Sequence, residues 1–184
     1  SALAGMVLQE IHLDGNRIET LEPLRGMESL RKLTFDKNPI ADLGPLRGLS
    51  LNELEFDRTP VASLEPLTGM PLRHLQFEQT PVADLRPLRG MHLRQLVFSD
   101  APVSSLAPLR GMPLVLLHMD RCGMVDLSPL AGMPLEELNC SRNGIRDLSP
   151  LQGMPLEAFH AEHNHIGELT ALEGAPLQRL LLKG

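Results

Sequence analysis

The chain has 184 residues, 42% of them hydrophobic, enough for one ordinary domain or one short repeat array with a sizeable core. Seventeen Lys and Arg against 23 Asp and Glu give a formal net charge of -6, and the five aromatic residues are all Phe. A nucleic-acid reader usually presents a basic face with aromatic stacking platforms, so neither nucleic acid nor a polyanionic membrane surface is an expected partner.

No run approaches the ~18 consecutive apolar residues of a membrane span. Residues Ser1 to Val7 lack the charged start and long apolar stretch of a secretory leader. They read SALAGMV and reappear as SPLAGMP at Ser128 to Pro134, so the chain opens partway through a repeated unit. The first complete unit, Leu8 to Ser29, has 22 residues. Units of 21 residues follow from Leu30, Leu51, Leu72, Leu93, Leu114, Leu135 and Leu156, and a last partial unit, LQRLLLKG, spans 177–184. The single expected domain is therefore one array over 1–184, with eight full repeats and partial repeats at 1–7 and 177–184. Neither end carries the polar cap that solenoids use for solubility. The array is expected to be a piece of a longer polypeptide, with ends that associate end to end or meet flanking sequence.

The shared pattern is L-x-x-L-x-Φ-x-x-[NT]-x-[IV]-x-[DS]-L-x-P-L-x-G-M-P, with Φ apolar. Positions four to six alternate in, out, in, the period of a half-buried strand. Nine parallel strands are expected, starting near Ile11, Leu33, Leu54, Leu75, Leu96, Leu117, Leu138, Phe159 and Leu180, stacked ~4.8 Å apart. Asp42, Asp84, Asp126 and Asp147 are placed to cap a short helical turn. Pro45, Pro87, Pro129 and Pro150 follow in its first turn, where no backbone N–H is needed. Each unit then has a glycine suited to ending the turn. That leaves room for about one turn, so 3₁₀ segments are expected rather than α-helices. The sixth position runs Leu13, Phe35, Phe56, Phe77, Phe98, Met119, Cys140, Ala161, Leu182. It predicts an internal aromatic column, with Phe159 at position four compensating the small Ala161.

The first half of this pattern matches the leucine-rich-repeat signature L-x-x-L-x-L-x-x-N-x-L. Its second half, D-L-x-P-L, resembles the bacterial internalin subtype, whose repeats usually have 22 residues. The resemblance covers the whole chain. It implies a curved right-handed solenoid with a parallel sheet on the concave face and 3₁₀ turns on the convex face.

The third and fifth positions of each unit face the concave surface, and they vary while core positions recur. In mid-array, Val97 and Leu116 are expected as diagonal neighbours, with Val115 at the strand edge. His74, Gln76, Gln95 and His118 surround them. An apolar centre with a polar rim is the anatomy of a protein-interface hot spot. The plain alternative is a solvated sheet face on which single apolar residues are normal.

The seventh column is acidic: Asp14, Asp36, Asp57, Glu78, Asp120 and Glu162. Lys37, Arg58 and Arg121 follow some of these, which favours a solvated charge face over a groove for a basic partner segment. Single carboxylates in a row do not make a calcium cage. His160, His163 and His165 lie close in sequence, but His165 falls beyond the strand, and His118 is ~10 Å from His160 by strand spacing. No metal site and no cofactor is expected. Cys122 takes the ninth position, where Asn16, Asn38, Asn143 and Asn164 stand in other units and form an internal ladder. Cys140 is a core position, out of phase with Cys122 and beyond the ~7 Å Cα separation of a disulfide, so two buried free thiols are expected. Asn139-Cys140-Ser141 matches a glycosylation acceptor only by accident of a strand.

No catalytic motif occurs, and the chain is not expected to be an enzyme. The leading expectation is a protein-interaction module. A structural spacer, or a regulatory segment of a larger bacterial enzyme, remain the alternatives. Unpaired cysteines favour the cytoplasm and the internalin resemblance favours the bacterial cell surface, so the compartment stays open.

Overall fold

The structure, a computed structural model, describes residue 3 and residues 5–183. The expectations at positions 1, 2, 4 and 184 lie outside the described residues. Nine strands of three residues each form one parallel sheet in sequential order. They are β1 (Glu10–His12), β2 (Lys32–Thr34), β3 (Glu53–Glu55), β4 (His74–Gln76), β5 (Gln95–Val97), β6 (Leu116–His118), β7 (Glu137–Asn139), β8 (Ala158–His160) and β9 (Arg179–Leu181). Each begins one residue before the expected start, because the ladder already engages the third position. The register pairs equivalent positions throughout: Glu10 opposite Lys32, Gln95 opposite Leu116, Ala158 opposite Arg179. Each coil returns through a 3₁₀ turn such as Gly44–Leu46 or Ser128–Leu130. The chain is a leucine-rich-repeat solenoid.

The Leu at position one, the Leu, Ile or Phe at position four and the apolar residue at position eleven fill the inside of the coils. One coil alone would leave both flat faces wet, so burial depends on the neighbours. Phe35, Phe56, Phe77 and Phe98 are fully buried and stack with centroids 5.6, 5.7 and 5.7 Å apart. Phe159 is buried beside Ala161, as the volume argument requires.

The capping Asp residues sit one position further out than the N-cap. Leu43 holds that place without a side-chain bond, while Asp42 Oδ1 accepts the Gly44 N–H at 2.7 Å. Asp84, Asp126 and Asp147 accept from Arg86, Ser128 and Ser149 in the same way. The proline that follows has no N–H, so the first residue of the turn is the donor that needs an acceptor. Thr20, Ser63 and Ser105 do the same with a hydroxyl.

One feature escapes the pattern. The eighth position is left-handed in every complete coil, with φ from 53° to 67° at Gly15, Lys37, Arg58, Gln79, Asp100, Arg121, Arg142 and His163. Only Gly15 advertises it. A side chain in that region costs about 1 kcal/mol or more. Arg142→Gly is therefore expected to raise stability by about 0.5–1 kcal/mol, the strain relief exceeding the entropy of the freed backbone; urea unfolding measures it.

The ninth position holds the coils together from within. Asn143 Nδ2 donates to the carbonyls of Met119, Cys140 and Ser141 at 2.9–3.2 Å, and its Oδ1 accepts from Cys122 and Met124 N–H. Asn38 and Asn164 repeat this. Thr59 and Thr80 keep one bond each, to Phe56 and Phe77 carbonyls. Removing the buried amide strands several backbone groups at once, so Asn143→Ala is expected to destabilise by about 2–4 kcal/mol. The loss of cooperativity or midpoint in chemical denaturation checks it against Asn16→Ala, whose amide is exposed and bonds only Leu13 and Asp14 carbonyls.

Candidate functional site

The concave face is made by the third and fifth positions of nine strands. Over β1 to β4 it is a chain of paired polar groups. Lys32 lies between Glu10 at 3.8 Å and Glu53 at 3.0 Å. His74 Nε2 is 3.4 Å from Glu55, and its Nδ1 shares a hydrogen with Gln95 Oε1 at 2.9 Å. Gln76 donates to Asp57 at 2.6 Å. Further along, His118 Nε2 meets Glu137 at 2.8 Å. The four residues expected to form the rim are thus each tied to a neighbour on an adjoining coil.

The apolar centre is smaller than the sequence implies. Val97 is only 7% exposed, flanked in register by Gln76 and His118, so it acts as filler between polar columns. Val115 and Leu116 are half-buried and stay in reach of solvent. They open into a shallow groove of about 310 Å³ that runs along the strand-entry edge, away from His74, Gln76, Val97 and His118. Gln95, Val115 and Leu116 line it together with Glu136, Glu137, Glu157 and Ala158, and Gln178 and Arg179 close its far end. The second-position column, not read as part of the face, carried the signal. It changes from Arg31, Arg73 and Arg94 through Val115 to Glu136 and Glu157.

The acidic seventh column proves to be a ladder. Asp14, Asp36 and Asp57 each use one carboxylate oxygen to accept the backbone N–H of the same position one coil on, at 2.7–2.8 Å. Asp14 also accepts from Thr34 Oγ1, and Asp120 from the Ser99 hydroxyl. Ser141 plays the acceptor's part toward Glu162. Arg121 binds Asp100 through two nitrogens at 2.6 Å. The stripe is structural in its bonding, and its spare charge is what a partner would meet.

Among the described residues no three or more His, Cys, Asp or Glu converge to hold a metal ion. His160 lies in β8 with its Nε2 buried and without a hydrogen-bond partner, while His163 and His165 are exposed. Both cysteines are free. Cys140 is buried, but Cys122 is only partly so, because its smaller side chain does not fill the asparagine's place; its Sγ lies 3.4 Å from the Phe98 carbonyl. Burial pushes the two thiols up to about 11 and about 12. Asn139 of β7 is half-buried, with its amide 3.4 Å from Asp120. No described helix is long and apolar enough to cross a membrane.

Burial, reinforced by the neighbouring Asp57, Asp14 and Glu55 charges, raises the Asp36 carboxyl to about 6. Glu78 is raised by burial and Asp57 in the same sense. A raised acid takes up its proton in the folded state first. The ionised form therefore weakens the fold above pH ~6, and that penalty is relieved as pH falls toward the unfolded value near 4. Asp36→Asn keeps the acceptor for Asp57 and removes the charge. It is expected to stabilise the chain at pH 7 by about 1–2 kcal/mol after allowance for solvent screening, with the gain fading by pH 4.5; melting curves of both proteins across that range test it.

No family model and no curated protein sequence matches the chain. Solved structures do. An internalin (inlF) from Listeria monocytogenes superposes with a TM-score of 0.86 at 23% identity, covering 91% of this chain and 52% of its own. An internalin C2 (inlC2) from the same organism gives 0.86 at 27% identity, covering 94% of this chain and 80% of its own. The chain therefore spans about half the length of the first and four-fifths of the second, and shares with both the repeat fold.

Proposed function

We propose that this solenoid is a protein-interaction module and that its partner seats on the concave face over β5 to β8. The observation that carries the reading is the break in the paired polar columns at Val115 and Leu116, where apolar surface meets unneutralised acid. Glu136 and Glu157 are exposed and without ion-pair partners among the described residues. A fitting segment places an aliphatic side chain over Leu116 and a Lys or Arg against these carboxylates. Of the expected rim Gln95 borders the groove, while His74, Gln76 and His118 lie beyond it on the same face and Val97 fills the space between Gln76 and His118. A face bonded to itself over β1 to β4, with fewer such pairs over β5 to β8, His118 with Glu137 among them, is a graded surface, which a spacer has no use for.

The test uses a partner isolated with the parent chain. Leu116→Asp adds a fourth acid to Glu136, Glu137 and Glu157 of the groove and removes the apolar anchor; it is expected to weaken that partner at least tenfold, about 1.4 kcal/mol or more. Glu136→Lys with Glu157→Lys should weaken it too and flatten its salt dependence. Equal affinity for Leu116→Asp, in a variant with unchanged melting temperature, places the partner elsewhere.

A further inference from the structure

The turns that carry the chain from each 3₁₀ segment back into the sheet form one long side of the solenoid, and its charge is segregated. In coil order they read RGLSLN (47–52), TGMPLR (68–73), RGMHLR (89–94) and RGMPLV (110–115), then AGMPLE (131–136), QGMPLE (152–157) and EGAPLQ (173–178). The first four hold five arginines and no acid, and the last three hold three glutamates and no base. The chain as a whole is acid-rich, with a net charge of -6, so four consecutive turns that carry cations alone run against its composition.

Local pairing does not account for these arginines. Elsewhere exposed arginines are matched: Arg25 to Glu22 at 2.6 Å, Arg86 to Asp84 at 2.8 Å and Arg121 to Asp100 at 2.6 Å. Arg47, Arg73, Arg89 and Arg94 are exposed, and none of them has an ion-pair partner among the described residues. The acids that border the strip are engaged by other groups, Glu53 by Lys32 at 3.0 Å and Glu65 by the Thr68 hydroxyl at 3.4 Å. Arg110, at the strip's end, adds to the Ser128 hydrogen bonds that hold the Asp126 carboxyl low. The strip has shape as well as charge. Between turns 68–73 and 89–94 lies a groove of about 370 Å³, lined by Arg73, Arg89, Pro71 and His92. Met70 and Met91, each only 6% exposed, give it an apolar floor. The Arg73 guanidinium is held in place there. One of its N–H groups donates to the His92 carbonyl at 3.0 Å across the coil boundary, which leaves the rest of the fork for a ligand. Arg94 follows Arg73 in the same column, joined to it by its backbone N–H at 2.8 Å.

We infer that this basic side of the array binds a short acidic segment of a partner protein. Its carboxylates lie against Arg73, Arg89 and Arg94, and an aliphatic side chain sits over Met70 and Met91. A guanidinium fork meets a carboxylate through two parallel hydrogen bonds, and thioethers adapt to varied apolar shapes. Four coils at ~4.8 Å spacing span ~15 Å, the reach of about five extended residues. The occupant is short because the strip is. A long polyanion that followed the turns past Arg110 would run into Glu136, Glu157 and Glu173, and a flat anionic membrane laid on this side would meet the same acids. The groove shares no residue with the one proposed for the concave-face partner, so the two readings stand or fall separately.

The test uses the 184-residue chain and a fluorescein-labelled peptide of repeating Asp, Glu and Leu, with a control peptide in which Asn and Gln replace the acids. By fluorescence anisotropy at low salt the chain should bind the acidic peptide and not the control, and added salt should weaken the complex. Arg73→Glu with Arg89→Glu should weaken it at least tenfold. The milder Arg89→Gln should weaken it about threefold. Arg142→Glu with Arg146→Glu makes the same change of net charge outside the strip and should bind as the parent does. All four positions are exposed, and melting temperatures establish that the variants fold. A parent that ignores the acidic peptide overturns the inference, as does an equal loss in the two double variants, which would make the effect one of net charge alone. Tighter binding of a single-stranded oligonucleotide or of phosphatidylserine vesicles than of the peptide overturns the assignment to a protein segment.

Discussion

Everything in this molecule hangs on one requirement: no coil can bury its own interior. A 21-residue turn encloses a thin layer of Leu, Phe and Val whose two flat faces are closed only by the coils above and below. The hydrophobic effect therefore acts along the array axis, and register becomes the governing variable. A slip of one residue would place an acid or a glycine where the stack needs a leucine. This is why the columns are so uniform inside, with Phe35 to Phe98 stacked at nearly constant spacing. It also explains why the strands need only three residues each: the sheet positions the coils, and the core supplies the cohesion.

Polar ladders do what apolar packing cannot, which is to fix the register. The ninth-position amides and seventh-position carboxylates bond backbone groups of an adjoining coil, at nearly the same geometry each time. Burial within this row, reinforced by the neighbouring carboxylates, lifts Asp36 to about 6. A stripe that looks in sequence like a partner's landing site is first a device for satisfying N–H groups. The cost of gathering like charges is offset in part because Asp14, Asp36 and Asp57 each accept a backbone N–H.

What the sequence made legible follows from this. The period, the strand positions, the 3₁₀ turns and the aromatic column all derive from recurrent residues. The left-handed eighth position did not, because Lys37, Arg58 and His163 carry no mark of it and only Gly15 does. There the fold imposes a conformation against local preference, and stacking sustains it. Of the candidate site, the mid-array break in polarity was legible, since Val97, Val115 and Leu116 stand out in their columns. How far each reaches solvent was not. Val97 is covered because parallel pairing brings Gln76 and His118 directly alongside it, and the acidic border at Glu136 and Glu157 belongs to a column that strand alternation had assigned no role.

The break on the face has a counterpart inside. From Thr59 through Thr80 and Ala101 to Cys122 the ninth-position ladder lacks its amide, and at Met119 the aromatic column gives way to a thioether. The last two of these coils carry Val97 and Leu116 outside. Through the middle of the array, then, polar fixing is thinnest on both sides of the sheet and apolar contact carries more of the cohesion. Met and Cys are soft, adaptable fillers, and a thiol at 3.4 Å from a carbonyl is a weaker tie than an amide with four or five bonds. Such a stretch yields more readily to an inserted side chain than the amide-laddered coils on either side of it. The half-buried surface of Val115 and Leu116 is backed by this softer stretch of the core.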